Sequence, residues 1–293
     1  MSILVTGSTG NVGSIVTSRL AEEGADVKAL TRSPEKHSFP KGVTPVKADM
    51  IDIDTLRSAF KGVRTVFLLN PVAPDELSQA LFTVNLAREA GIERFVYLSV
   101  IQADRFTNVP HFASKYAVER MFEEQGISAS VLRPGYYIQN DTALKEQLYD
   151  QKVYSTPLGN LPILAVDVRD LAEVAVQCIL KRDKAEDIIP HERIDVVAPQ
   201  ILTGRGIAEI WTDILGEKIN YGGDDLKAME QQLQNFMPGW MAYDMRLMME
   251  RFQNDGIKAE PETAGQLQEL LGRPMRSYKD FAKEMVLDWS KKQ

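Results

Sequence analysis

The sequence predicts a doubly wound α/β fold, a parallel sheet with helices on both faces, followed by a smaller, mostly helical C-terminal lobe. Three observations carry this expectation. Short β-rich runs alternate with amphipathic stretches through the first half, a glycine-rich turn joins the first run to the first helix, and from Thr203 onward the pattern is mostly helical. Alternation with short connections favours parallel pairing, because a crossover helix returns each strand to the same direction.

The elements follow in order. "ILVT" leads into "SIVTSRLAEEG"; "DVKAL" and "VTPVK" precede "IDTLRSAFKG"; "TVFLL" precedes "DELSQALFTVNLAREAG"; "RFVYLSV" and "ASVLR" supply two further strands. After "YYIQN" the alternation loosens, and "DVRDLAEVAVQCILKR" reads as a helix capped by Asp167, with "RIDVVAP" a strand behind it. The expected division is a nucleotide-binding domain over residues 1–150. Residues 151–293 then form a mixed region that returns a strand and a helix before the C-terminal substrate lobe. No repeat or long Pro/Gly linker separates the two, and the cleft between them is the expected ligand site.

Composition narrows the partners. A net charge of −7 and a pI near 5.2 argue against a broad grip on nucleic acid or on an acidic membrane, both of which need clustered positive charge. No run approaches the 18 apolar residues of a membrane span and no basic signal-peptide region opens the chain, so a cytoplasmic protein is expected. The single cysteine, Cys178, lies in an apolar run and reads as a small buried hydrophobe. His37, His111 and His191 are too dispersed for a metal site, and none is expected.

"TGSTGNVG" places Gly7, Gly10 and Gly13 where the first strand meets the first helix. In that context the three glycines permit a tight turn, close backbone approach to a pyrophosphate and close packing of helix on sheet. The helix start adds N–H donors and a favourable dipole for a phosphate, so a dinucleotide is expected here. The second strand ends "ALTRSPEK", with no acid for the adenosine ribose but with Arg32, whose planar fork of donors suits a 2′-phosphate. NADP(H) is therefore expected over NAD, with Lys36 assisting.

"TGSTGNVG", "ALTRSPEK", "AREAGIERFVYLSV", "HFASKYAVERMFEEQGISASVLRPGYYIQN" and "LGRPMRSYKDFAKE" together resemble the NmrA-like branch of the atypical short-chain dehydrogenases, through most of the chain. The resemblance implies a Rossmann domain that binds NADP(H). It puts Gly7, Thr9, Gly10, Asn11, Val12 and Gly13 at the pyrophosphate, Arg32 at the adenosine phosphate, Asp49 and Met50 beside the adenine, and Asn70 and Pro71 toward the nicotinamide ribose. Such proteins include NADPH-dependent quinone and dye reductases and regulators that bind the dinucleotide without known catalysis.

The wider dehydrogenase pattern of serine, tyrosine and lysine is only partly present. Ser99 and Lys115 fit the first and last positions, but His111 stands where the tyrosine belongs. Tyr116 does not replace it, being about 100° around the helix from Lys115, whereas His111 and Lys115 share a face at i and i+4. Lys115 suits the ribose hydroxyls, and His111 could donate a proton near neutral pH, although a neighbouring cation would oppose that. The same residues also fit an ordinary helix start. Loss of the tyrosine favours an electron-poor, conjugated acceptor over a simple ketone.

Two stretches could wall a substrate pocket. "RPGYYIQN" offers Tyr136, Tyr137 and Asn140 after a Pro-Gly turn, and residues 236–252 carry Trp240 and five of the eleven methionines. Both fit buried anchoring or core packing equally well. The expectation is an NADPH-dependent reductase of a quinone-like or conjugated aromatic small molecule. The alternative is a non-catalytic NADP(H) sensor that binds a protein partner.

Overall fold

The computed structural model describes residues 1–291. Its elements run β1 (Ser2–Val5), α1 (Asn11–Glu22), β2 (Val27–Thr31), β3 (Val43–Lys47), α2 (Ile53–Ala59), β4 (Val63–Leu68), α3 (Glu76–Glu89), β5 (Arg94–Leu98), α4 (Pro110–Glu124) and β6 (Ala129–Pro134). There follow β7 (Tyr136–Tyr137), α5 (Lys145–Tyr149), β8 (Val153–Tyr154), β9 (Ile163–Val166), α6 (Val168–Lys184) and β10 (Glu192–Val196). The chain ends with β11 (Ile201–Leu202), α7 (Gly204–Leu215), β12 (Asn220–Tyr221), α8 (Leu226–Leu233), α9 (Gly239–Asp255), α10 (Thr263–Leu271) and α11 (Tyr278–Lys291).

Two compact units emerge. The first comprises Met1–Asp104, His111–Arg133 and Val168–Asp195; the second comprises Arg105–Pro110, Pro134–Asp167 and the chain from Val196 onward.

The first unit is built on a seven-stranded sheet in the order β10-β6-β5-β4-β1-β2-β3. Neighbours from β3 through β6 pair in parallel. Its central strands are buried along nearly their whole length, "SILV" throughout and "RFVYL" from Phe95 onward, because helices cover both faces. On one face Leu56 and Ala59 of α2, Ala80 and Val84 of α3, and Val118 and Phe122 of α4 pack over Leu4, Val66, Phe95 and Tyr97. The other face takes α1, with Val12, Val16 and Leu20 in a stripe at helical spacing, and α6, whose Glu173 meets Arg19 at 3.5 Å.

Arg182, almost wholly buried near the end of α6, ties that helix to the sheet. It donates to Ser130 Oγ at 2.6 Å, Ser128 Oγ at 2.8 Å and the Ile189 and Pro190 carbonyls. Five donors in a fixed fork can satisfy that many acceptors, which is what makes a buried guanidinium tolerable. Cys178, on the same helix, is buried, and its thiol is pushed up to about 12 chiefly by that burial.

The second unit carries β7, β9 and β11 as one small sheet, β8 with β12 as another, and five helices from α7 to α11. At its centre Asp141 is completely buried. The carboxylate accepts hydrogen bonds from the hydroxyls of Tyr136 at 3.0 Å, Tyr154 at 3.0 Å and Tyr278 at 2.5 Å. Trp211 in turn donates its indole N–H to the Tyr278 oxygen at 3.0 Å and stacks on Trp289. Burial raises the Asp141 carboxyl to about 6 against the pull of these donors.

Candidate functional site

Strand order and chain order diverge at β1, which has β2 on one side and β4 on the other. The loops leaving the carboxyl ends of those strands part there, and a ligand crevice is expected at such a point. A cavity of about 670 Å³ occupies it, lined from the first unit alone. Gly7, Thr9 and Gly10 follow β1; Thr31, Arg32 and Ser33 close β2; Asp49 and Met50 follow β3; Leu69 and Pro71 follow β4; Asp75 and Gln79 belong to the start of α3.

The glycine loop is shaped by its own backbone. Gly7 has φ +57°, and a Cβ there would strike the Leu69 side chain; a Cβ on Gly13 would strike the Gly7 carbonyl. Gly10 donates its N–H to Gly7 O at 3.0 Å, and a Cβ there would make only ordinary contact with that oxygen at 3.4 Å, so no clash within the protein requires glycine here. Hydroxyls pin the loop: Thr6 donates to the Leu69 carbonyl at 2.9 Å and accepts from Leu69 N–H at 2.8 Å, while Ser8 donates to the Leu30 carbonyl at 2.8 Å. α1 then starts at Asn11 with no side-chain cap and no acid in its first turn, which leaves the N–H groups of Asn11, Val12 and Gly13 suited to an anion.

Arg32 is exposed on the groove wall, with Lys36 and His37 near it. Asp49 is half-buried, and its Oδ1 accepts from Ile51 N–H at 3.2 Å. Met50 is buried with its sulfur 4.0 Å from Asn70 Nδ2, and Asn70 Oδ1 is a buried acceptor without a partner among the described residues. A wide groove, a cradle lacking Cβ atoms, an uncapped helix start, a cationic end and an orphaned amide oxygen together fit a phosphorylated dinucleotide such as NADP(H).

Ser99 and Lys115 are not among the residues that line this groove; both are buried in a polar cluster. α4 turns Phe112, Lys115, Val118, Glu119 and Phe122 inward at helical spacing. Lys115 Nζ meets Glu76 Oε1 at 2.5 Å. Glu119 is fully buried and accepts from Arg133 Nε at 3.0 Å and from its Nη2 at 2.5 Å. The Ser99 hydroxyl also donates to Glu119, so its hydrogen is already committed. Tyr97, two residues before Ser99, is held well above the usual phenol range by burial and then by the charges of Glu76 and Glu119. His111 is half-buried in the first turn of α4, its ring edge-on to Phe112.

Neither Glu76 nor Glu119 figures among the residues expected from sequence. Glu119 had a signal, since it lies one turn beyond Lys115 on the same face; Glu76 had only its place at a helix start.

The four candidate pocket residues belong to the second unit. Tyr136 presents its hydroxyl to Asp141, so its polar tip is spent on the interior, while its ring meets Phe252 of α9 edge-on. Tyr137 is half-buried and Asn140 exposed. Trp240, on α9, is 41% exposed, with Tyr243 one turn further and Arg246 stacked over the Tyr243 ring. Of the clustered methionines, Met249 is buried.

The sheet order, the crevice at its switch point and the glycine loop define a doubly wound α/β protein built to hold a nucleotide. The chain belongs to the NmrA-like family, whose model matches residues 1–283. It is 28% identical over 284 residues to an NAD(P)H azoreductase of Xenophilus azovorans, with 96% of each chain covered. It also shares its fold with the NADPH-dependent quinone oxidoreductase of Escherichia coli solved with NADPH (TM-score 0.84, 21% identity, 97% of this chain and 99% of that one). A third similar structure is NmrA, a negative transcriptional regulator, with NADP (TM-score 0.77, 18% identity, 97% and 94% covered).

Proposed function

We propose that the protein is an NADPH-dependent reductase acting on a quinone-like or other conjugated aromatic molecule. The observation that carries this reading is the groove at the β1/β4 switch, with the glycine loop and Arg32 both on its wall. Gly7, Thr9, Gly10 and the first-turn N–H groups of Asn11, Val12 and Gly13 take the pyrophosphate. Arg32, with Lys36, takes the 2′-phosphate. Asp49 and Met50 lie along the adenine, Asn70 and Pro71 face the nicotinamide ribose, and Lys115 holds that ribose. The azoreductase relative, similar over nearly the whole chain, supports a reductase.

The cofactor supplies a hydride; the chain supplies position and charge. Ser99 has its hydrogen on Glu119 and Lys115 is paired with Glu76, so neither stands ready as a proton donor in the way a free tyrosine would. His111, at the half-exposed start of α4, is the residue assigned to proton supply. A conjugated acceptor that spreads its new charge and takes a proton from water is compatible with this arrangement, whereas a simple ketone is not. Tyr137, Asn140, Trp240 and the Tyr136 ring are assigned to the aromatic substrate.

The commitment of Ser99 and Lys115 to carboxylates also favours a second reading, a sensor that binds NADP(H) and a protein partner without turnover. The deciding experiment is NADPH oxidation by the pure protein with quinones, triphenylmethane dyes and simple ketones. Turnover confined to the conjugated acceptors is expected. Tight binding with no turnover, and different affinities for the two redox forms, would favour the sensor.

A further inference from the structure

We propose that Glu76 is the positioning residue for Lys115, fixing its ammonium so that two of its three N–H donors face the paired hydroxyls of the nicotinamide ribose. The inference rests on the reading that Lys115 holds that ribose. Its physical basis is the buried ion pair: Nζ lies 2.5 Å from Glu76 Oε1, with the two side chains 11% and 4% exposed.

A lysine reaches through four flexible methylenes, and an ammonium held away from water without a counter-charge tends to lose its proton. Glu76 answers both problems at once. It is the first residue of α3, where the helix dipole favours a carboxylate, so its own charge is supported from behind. The pairing uses one of the three ammonium donors. The two that remain match a vicinal diol in number.

No other carboxylate of the cluster is placed to do this. Glu119, one turn along α4 from Lys115, is occupied by Arg133 and by the Ser99 hydroxyl. Tyr97 is kept protonated by its burial and by these same carboxylates, so it brings no competing charge.

The position of Glu76 also links the pair to the groove. Asp75 and Gln79, which flank it in the first turn of α3, line the groove and are joined by Gln79 Nε2 donating to Asp75 Oδ1 at 2.9 Å. The turn that shapes the groove wall thus also sets the lysine. Displacing that turn moves Lys115 relative to the ribose.

The test uses the full-length protein with Glu76→Gln and Glu76→Asp. Two readouts are taken: the rate at which an amine-directed acylating reagent labels Lys115 without cofactor, followed by mass spectrometry, and NADPH affinity from nicotinamide fluorescence. Glu76→Gln is expected to raise the labelling rate several-fold and to weaken NADPH about tenfold, the size of one charge-assisted contact. Glu76→Asp, which keeps the charge, recovers part of both. Should Glu76→Gln fail to fold, the double variant Glu76→Gln/Lys115→Met is expected to fold, because it removes the stranded cation. Failure of the double variant to recover folding would overturn the proposal. So would wild-type labelling in Glu76→Gln, or unchanged NADPH affinity. Absence of turnover in the wild type would count against the reductase reading alone, since both readouts are made without an acceptor.

Discussion

In the proposed reading Arg32 and Lys115 hold the dinucleotide at its two ends. Arg32 is exposed on the groove wall, where a guanidinium can form two parallel bonds to a phosphate. Arg32→Glu should weaken NADPH binding by about 10- to 100-fold, the worth of a charged hydrogen bond, and leave NADH nearly unaffected. Fluorescence titration checks this, and unchanged preference for NADPH would count against the assignment. Lys115→Ala should cut acceptor-dependent turnover by roughly 100-fold through misplacement of the nicotinamide. Cys178, buried and with its thiol raised to about 12, should resist thiol reagents at pH 8 until the protein unfolds. The place of Arg32 on the groove wall was legible in the sequence, because the end of the second strand, after the glycine loop and its helix, lies at the carboxyl edge of the sheet. Glu76 was not, because the lysine it serves lies far along the chain, on α4. A carboxylate on an apolar stripe, as Glu119 is, announces that it has a partner but not that the partner is Arg133.

Among the elements, the glycine loop and α4 are the most constrained. A Cβ at Gly13 would run into the Gly7 carbonyl, a backbone atom that cannot swing aside. Gly13→Ala should therefore destabilise the protein by about 1–3 kcal/mol, the usual cost of overpacking, and should weaken the dinucleotide with it. Thermal unfolding with and without NADPH measures both effects, and an unchanged melting temperature would contradict the account. In α4, Glu119→Gln breaks the buried pair with Arg133, which keeps the exposed Asp104 at 3.5 Å, and should cost about 2–3 kcal/mol in denaturant unfolding. The central strands were easy to read, since β-rich runs such as "RFVYL" alternate with amphipathic stretches over short connections. The stretch after β6 was harder. Tyr136 read equally as a pocket wall or a buried anchor; its hydroxyl serves Asp141, five residues on, and further donors to that carboxylate are Tyr154 of β8, Thr156 just beyond it and Tyr278 of α11.

At the scale of the whole molecule, the burial of Asp141 makes stability depend on pH. Asp141 has a carboxyl raised to about 6 from the ordinary 3.8, so the folded state prefers it protonated. Its contribution to stability is full below about pH 4 and falls as the pH rises through about 6, a change of about 3 kcal/mol. Asp141→Asn should remove that slope, and denaturation curves of wild type and variant taken across this range should diverge as the pH climbs. Parallel curves would contradict the burial argument. The fold class was legible from the alternation of strands and helices together with the glycine loop. The Asp141 cluster was not, because it joins residues as far apart as Tyr136 and Tyr278 and no local pattern records such pairings. The central claim, hydride transfer from a dinucleotide in the β1/β4 groove, is tested most directly by an isotope experiment. NADPH carrying deuterium on the transferring carbon is given to the protein with a conjugated acceptor. Slower acceptor-dependent oxidation than with ordinary NADPH, lost together with turnover in Lys115→Ala, is the result predicted. Tight binding of both cofactors with no acceptor-dependent oxidation of either isotopic form would contradict it and leave the sensor reading in its place.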